Sequence, residues 1–372
     1  MKQSPIRNIL VPIDFSKISI EAIATAKQLA TQFGAAIHLV HTYQLDHLAG
    51  FIGSTGPAML WPVAFYEQAG KELAHRLVKV ARKHGLPVAG TCHVRSGTPA
   101  FDEICLLAKE IPADLIVIPT HGYRGLKHVL LGSTAERVVQ HSPCPVFVRR
   151  KASRTAPGPK SPEKFKKILV PIDFSASSLE ALNYAIGFAR RFSARLVLLH
   201  SVYFPYSYRG DGQEMYDISA FLEAARKNAH EQFRTFVKAA QFGPVPFETV
   251  VAVGPPVDEV CANAERDRAD LIITATHGWT GFKHVLIGSV AEHVVRHAPC
   301  PVLVVPSHPE VRREQLIRPV ARKQVSSLSP SRRLPPGSIK GRRVTKRYRK
   351  TVTRPFPERR RTNKFRESHE RQ

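Results

Sequence analysis

The residues best placed for chemistry are two glycine- and serine-bearing segments. One runs Pro119-Thr-His-Gly122-Tyr-Arg-Gly-Leu-Lys-His-Val-Leu-Leu-Gly132-Ser133, and the other runs Ala275-Thr-His-Gly278-Trp-Thr-Gly-Phe-Lys-His-Val-Leu-Ile-Gly288-Ser289. Glycine has no Cβ to hold main-chain amides away from a polyphosphate, and a serine that opens a helix adds a hydroxyl donor. Gly122, Gly132 and Ser133, with Gly278, Gly288 and Ser289, therefore read as two phosphate cradles. A second reading fits the same serines: Ser133-Thr-Ala-Glu136 and Ser289-Val-Ala-Glu292 match the S-x-x-E capping box, in which serine caps a helix and glycine only turns the chain. A cap accounts for the serine but not for two glycines ten residues apart, and the two roles can coexist.

Binding is better supported than turnover. Phosphoryl transfer needs a positioned base and usually a metal ligand set or an extra cation. The loops offer Lys127 and His128, repeated as Lys283 and His284, but no G-x-x-x-x-G-K-(S/T) segment. These read as solvated loop residues, and no catalytic residue is assigned; slow ATP hydrolysis stays open. His121 and His277 fit either a hydrogen-bonded turn or a ring stacked on a ligand. Histidines at 121, 128 and 141 have neither i,i+4 spacing nor cysteine partners, so no zinc site follows.

The elements that must position these segments come in two copies. Asn8-Ile-Leu-Val-Pro-Ile-Asp-Phe-Ser16 recurs as Lys167-Ile-Leu-Val-Pro-Ile-Asp-Phe-Ser175, and Thr120–Val148 matches Thr276–Val304 at 20 of 29 positions. Within each copy short apolar runs alternate with segments of helical period, the signature of βαβ units and a parallel sheet. Copy one is expected to hold strands at 8–13, 36–42, 88–94, 114–119 and 145–149, and helices at 17–33, near 66–84, 100–110 and 134–141. Ala22, Ala26, Leu29, Ala30 and Phe33 share one face of the first helix, as Ala181, Ala185, Phe188, Ala189 and Phe192 do in the second copy, and both stripes read as core. Expected boundaries are 1–150 and 165–306 for the two domains, a Ser-, Pro- and Lys-rich linker at 151–164, and a tail at 307–372. Long loops at Gln44–Ala64 and Tyr203–Met215 fit lids or contact surfaces.

A chain of 372 residues with 43% hydrophobic residues suffices for about two ordinary domains. Five cysteines, odd in number and without a C-x-x-C pair, are expected to be reduced, with Cys144 and Cys300 as packing residues. Neither an apolar signal core nor an apolar run of about 18 residues is present, so a soluble, cytoplasmic protein with no membrane partner is expected.

Three features together resemble the universal stress protein family: the strand Ile-Leu-Val-Pro-Ile-Asp, the nine residues between Gly122 and Gly132, and the ending Pro-Cys-Pro-Val. The resemblance covers about residues 6–150 and 165–306. It implies an α/β fold of two Rossmann-like, adenine nucleotide alpha hydrolase-like, open parallel five-stranded sheets in tandem. It also implies ATP or another adenine nucleotide as ligand, with Mg2+ accompanying it. Asp14 and Asp173 are then expected on the ribose or adenine side, Thr42 and Ser201 after the second strand in the adenine pocket, and the glycines and serines above around the phosphates. The family pattern is G-x2-G-x9-G-(S/T), and its first glycine is Pro119 here and Ala275 in the second copy. Proline has no N–H to donate, so a contact made there by glycine main chain is lost or altered. In this family the last strand pairs antiparallel across a dimer, so the two copies are expected to form a pseudo-dimer within one chain, with further homodimerisation open.

The resemblance does not cover the tail. From Ser307 to Gln372 there are 21 Lys and Arg against five Glu, which gives most of the chain's formal charge of +25. Too little apolar surface is present to offset the entropy of ordering, so disorder is expected. Arg342, Arg343, Lys346, Arg347, Tyr348, Arg349, Lys350, Arg359, Arg360 and Arg361 mix cations with an aromatic ring, a composition suited to RNA or DNA. A solvated tail that aids solubility has the same composition. The reading is a nucleotide-binding regulator of the stress response. The alternatives are a scaffold that has lost its nucleotide, or a nucleic-acid or ribosome-associated factor acting through the tail.

Overall fold

The computed structural model describes residues 6–43, 63–97, 99–120, 132–150, 165–203, 218–240, 242–276 and 288–307. All lie in one compact unit, Met1–Arg318. Half one runs β1 (Asn8–Pro12), α1 (Lys17–Phe33), β2 (Ala36–Tyr43), α2 (Val63–Lys83), β3 (Cys92–Ser96), α3 (Ala100–Glu110), β4 (Leu115–Pro119), α4 (Ser133–His141) and β5 (Val146–Arg149). Half two repeats it as β6 (Lys167–Pro171), α5 (Ala176–Phe192), β7 (Arg195–Val202), α6 (Ile218–Ala239), β8 (Phe247–Val253), α7 (Pro256–Arg266), β9 (Leu271–Ala275), α8 (Ser289–His297) and β10 (Val302–Val305).

Each half is a parallel sheet, and the two join into one sheet of order β3-β2-β1-β4-β5-β10-β9-β6-β7-β8. The only antiparallel pairing among these is β5 with β10, in the register Val148↔Val302, Phe147↔Leu303 and Val146↔Val304. This is the intramolecular contact expected of a tandem pair, and it merges the two five-stranded sheets. The central strands are apolar at nearly every position because helices cover both faces; β4 and β9 are buried throughout. Successive residues feed opposite cores: Ile9 and Val11 pack with α1 and α5 residues such as Ala26 and Ala185, while Leu10 packs with α3 and α4 residues such as Ile104 and Val138. Both cores run unbroken across the seam.

The first-helix stripe is buried as its period predicts: Ala22, Ala26, Leu29 and Ala30 are inside, as are Ala181, Ala185, Phe188 and Ala189. Phe33 and Phe192 go further and close the seam. Phe33 lies 5.5 Å from Phe188 and 5.9 Å from Phe192, and Phe165 lies 6.0 Å from Phe147 and 5.0 Å from Phe192 (ring centroids). Such aromatic pairs add about 0.5–1.5 kcal/mol each beyond area burial. Polar contacts reinforce the joint. Arg150, just past β5, donates to the Val295 and Arg296 carbonyls at the end of α8 (3.4 and 2.7 Å), where a cation offsets the helix dipole. Arg296 in turn reaches Glu136 of half one (3.0 Å) and Glu292 of its own helix (2.8 Å). Among the described residues no helix is long and apolar enough to cross a membrane. The linker and the tail lie outside the described residues.

Candidate functional site

In each half the chain moves from β1 to β2 on one side and later from β4 to β5 on the other, so the strand order reverses between β1 and β4, and likewise between β6 and β9. In an open parallel sheet the crevice at the carboxyl ends of such a pair is where ligands bind. Two turns border it.

The β1-to-α1 turn carries Asp14. Its Oδ1 accepts the Ser16 N–H (2.9 Å), and its N–H donates to Ser19 Oγ (3.3 Å). Ser16 caps α1 by accepting from the Ser19 amide (3.2 Å). Half two repeats the device: Asp173 Oδ1 accepts from the Ser175 amide (3.0 Å) and hydroxyl (2.6 Å), and Ser175 caps α5. Between aspartate and cap, Phe15 and Phe174 hold φ of 61° and 63°. A left-handed bulky residue costs roughly 1–2 kcal/mol, and strain repeated at matching positions marks a turn whose shape is imposed. The ring of Phe15 packs on His41 (4.4 Å) with the Arg76 guanidinium 4.2 Å above it, whereas Phe174 packs on His200 (4.5 Å), Phe233 and Phe236. His41 Nδ1–H donates to the Ile13 carbonyl (2.7 Å), and His200 Nδ1–H to Ile172 (2.8 Å), which pins the backbone beside each aspartate. Burial holds the His41 pKa below the ordinary 6.5, against the Ile13 carbonyl that pulls it up.

The β4-to-α4 turn is tied at its base. The Gly132 N–H donates to the Thr120 carbonyl (2.7 Å), and the Gly288 N–H to Thr276 (2.6 Å). Gly132 is the N-cap of α4 with φ −63° and ψ 140°, and its side-chain-free position makes no capping bond; Gly288 is the same. Any residue can adopt those dihedrals, so backbone freedom does not require glycine there. The first helical bond to this cap is Glu136 N–H to the Gly132 carbonyl (2.9 Å), which leaves the amides of residues 133–135 without an intrahelical partner.

Three parts of the sequence reading need correction. Ser133 and Ser289 are the first helical residues, not the caps, so the capping box does not form; Glu136 turns instead to Arg296 across the seam. Gly132 and Gly288 spend their amides closing the loop, so the amides without an intrahelical partner are those that follow. Thr42 and Ser201 lie inside β2 and β7, not after them. The Ser201 hydroxyl donates to the Gly254 carbonyl (2.5 Å). Asp14, Thr42, Gly132 and Ser133, and Asp173, Ser201, Gly288 and Ser289, all sit at the carboxyl end of one half-sheet. Gly122, Gly278, His121, Lys127, His128, His277, Lys283, His284 and the tail cations lie outside the described residues.

The sequence reading passed over His41 and His200, although the repeated His-Thr and His-Ser pairs were a usable signal. It also passed over Gly97 and Gly254, which follow β3 and β8 and donate to the Tyr43 and Val202 carbonyls (3.2 and 3.0 Å). Gly254 has φ 153°, and an added Cβ would meet Glu259 Oε1 at 2.6 Å.

The cysteines offer no nucleophile here. Burial pushes the Cys144 and Cys300 thiols up to about 12 and Cys105 up to about 11, far from thiolate chemistry at neutral pH. All five are free, as expected. Among the described residues no three His, Cys, Asp or Glu side chains gather as a metal ligand set.

Fold and site thus define a tandem α/β protein with a Rossmann-like switch-point crevice in each half. The profile of the universal stress protein family matches residues 5–150 and 164–306, and the chain belongs to that family. A universal stress protein of Methanocaldococcus jannaschii is 35% identical over 153 residues, 38% of this chain and 82% of that one. A universal stress protein structure from Archaeoglobus fulgidus shares the fold, with a TM-score of 0.54 and 19% identity over 82% of this chain and 99% of that chain. A universal stress protein solved in complex with cAMP aligns with 38% of this chain and 96% of its own, at 24% identity and a TM-score of 0.27.

Proposed function

We propose that the chain is a nucleotide-binding regulatory module of the stress response, holding an adenine nucleotide, ATP foremost, at the switch point of each half. The observation that carries the reading is the convergence on one crevice, twice over, of a strained aspartate turn and a tied loop followed by three helix amides without an intrahelical partner. Asp14 and Asp173 would contact the ribose or adenine side, and Thr42 and Ser201 the adenine. Ser133 and Ser289, with the amides after Gly132 and Gly288, would meet the phosphates, helped by Gly122 and Gly278. Mg2+ would arrive with the nucleotide, held by its phosphates and water. The reading is one of binding, since the loops carry no G-x-x-x-x-G-K-(S/T) segment.

The test is mass spectrometry of ligands released from the purified full chain, followed by calorimetric titration of the stripped protein with ATP and AMP. Saturable binding with two sites is expected. Gly132→Val and Gly288→Val should each remove one site, with affinity there at least tenfold weaker. An empty protein that ignores both nucleotides would leave the scaffold reading in its place.

A further inference from the structure

The amino ends of the half-two strands, about 16 Å from the crevice along the sheet, border a groove. It is open, about 900 Å³, and lined by Lys166, Lys167, Arg191, Arg195 and Arg268 together with Phe192, Pro246 and Asp270. The hydrogen-bond pattern fixes the equivalent positions in half one. The Arg195 amide donates to Lys166 as Ala36 does to Arg7, and the Asp270 amide donates to Lys167 as Asp114 does to Asn8. Where half two has Lys166, Lys167, Arg191, Arg195 and Arg268, half one has Arg7, Asn8, Gln32, Ala36 and Pro112. Five cations replace one on an identical scaffold, so the fold does not require them.

Among the described residues none of the five forms an ion pair. The one lining carboxylate, Asp270, turns Oδ2 to the Lys166 and Lys167 amides (2.8 and 2.9 Å). Arg191 reaches across the seam to the Gln32 carbonyl. Arg268 holds φ 51°, a left-handed backbone that the proline of half one cannot adopt and that glycine or asparagine would adopt at lower cost. An arginine kept at such a position is a reason to look for a ligand.

The cations form a row, not a cage. Arg268, Lys166, Lys167 and Arg195 stand at the starts of the neighbouring strands β9, β6 and β7, Arg191 joins them from the last turn of α5, and Pro246 continues the row to β8, a span of about 14 Å at the usual strand spacing. Beside Pro246, Phe247 is 41% exposed and packs on Phe242 at 4.1 Å. A row of cations in an open groove with an exposed ring at one end suits a linear chain of phosphates that carries stackable bases. We propose that this groove binds single-stranded nucleic acid through its phosphodiester backbone.

The test is fluorescence anisotropy of a labelled 20-nucleotide oligouridine with the full chain, across a salt series. Three proteins are compared: wild type, the groove variant K167E/R195E/R268E, and a control, K71E/R82E/K83E, with the same charge change on exposed positions of α2. The tail is common to all three, so its contribution cancels. The groove variant should bind at least tenfold more weakly at 0.1 M salt, and its slope of log affinity against log salt should be shallower by about 2, since each phosphate contact on a single strand contributes about 0.7. The control should stay within about twofold of wild type. Equal losses in both variants, or no loss in the groove variant, overturn the proposal. So does a groove variant that loses inorganic polyphosphate while keeping oligouridine. K167A/R195A/R268A, with melting temperature measured alongside, guards against misfolding and should shift affinity in the same direction by a smaller factor.

Discussion

The two halves share every element, the same register and a serine cap on the first helix, yet they surround equivalent positions with different chemistry. Phe15 in half one leans on His41 under an arginine, while its twin Phe174 sits among His200, Phe233 and Phe236. The strained turn is therefore kept by backbone and histidine, and its backing differs. At the opposite end of the sheet the difference reverses, with five cations in half two against one at the equivalent positions of half one. A duplicated scaffold separates what the fold needs, which recurs, from what one copy has added, which does not.

The largest expected effect tests whether the halves are separable at all. Phe147 is fully buried at the seam, so Phe147→Ala should cost about 3–5 kcal/mol. Because both cores continue across β5 and β10, urea melts followed by probes in either half should shift together. A variant in which half one melts alone would show that the shared sheet does not couple them.

A smaller effect separates the halves by pH. Burial holds His38, His41 and His93, all in half one, below 6.5, and His38 Nδ1 lies 3.2 Å from His93 Nε2, where its charge further opposes charging of His93. A histidine with a lowered folded pKa binds its proton more readily when unfolded. Its contribution is thus complete above about pH 6.5 and declines as pH falls from there through the lowered value. Hydrogen exchange, corrected for its intrinsic pH dependence, should rise between pH 7 and 5 in β2 and β3 more than in β7 and β8. H38Q/H93Q should flatten that difference; an unchanged difference would remove these histidines as its source.

The smallest effect concerns the groove. Arg268→Gly relieves a left-handed backbone and should raise stability by about 1 kcal/mol or less, even after the added chain entropy of glycine. It should also weaken oligouridine binding. Lower stability would mean that Arg268 packs more than it strains.

Much of this was legible in the sequence because it rests on local rules. The period of Ala22, Ala26 and Leu29 could only be one helix face, and the observed α1 and α3 begin and end where the pattern placed them. The repeat fixed two copies of one fold, and Ser133 opens its helix as the sequence placed it. Boundaries slipped where β-rich runs abut turns, as at β3, which spans Cys92–Ser96 rather than 88–94.

The rest depended on neighbours distant in the chain. Whether Ser133 caps its helix turned on the Gly132 amide finding the Thr120 carbonyl, and Glu136 was claimed by an arginine 160 residues away. His41 has no meaning until β2 lies against β1 and brings its ring to the Ile13 carbonyl. The cations of the groove are scattered from Lys166 to Arg268, and only the pairing of β6 with β7 and β9 sets them in a row. By itself the sequence determined the elements, the duplication and the family, because periodicity and spacing are properties of short segments. Only the tertiary structure decided which hydrogen bonds the site spends on itself and which charges become neighbours, because those follow from distances that the chain closes by folding.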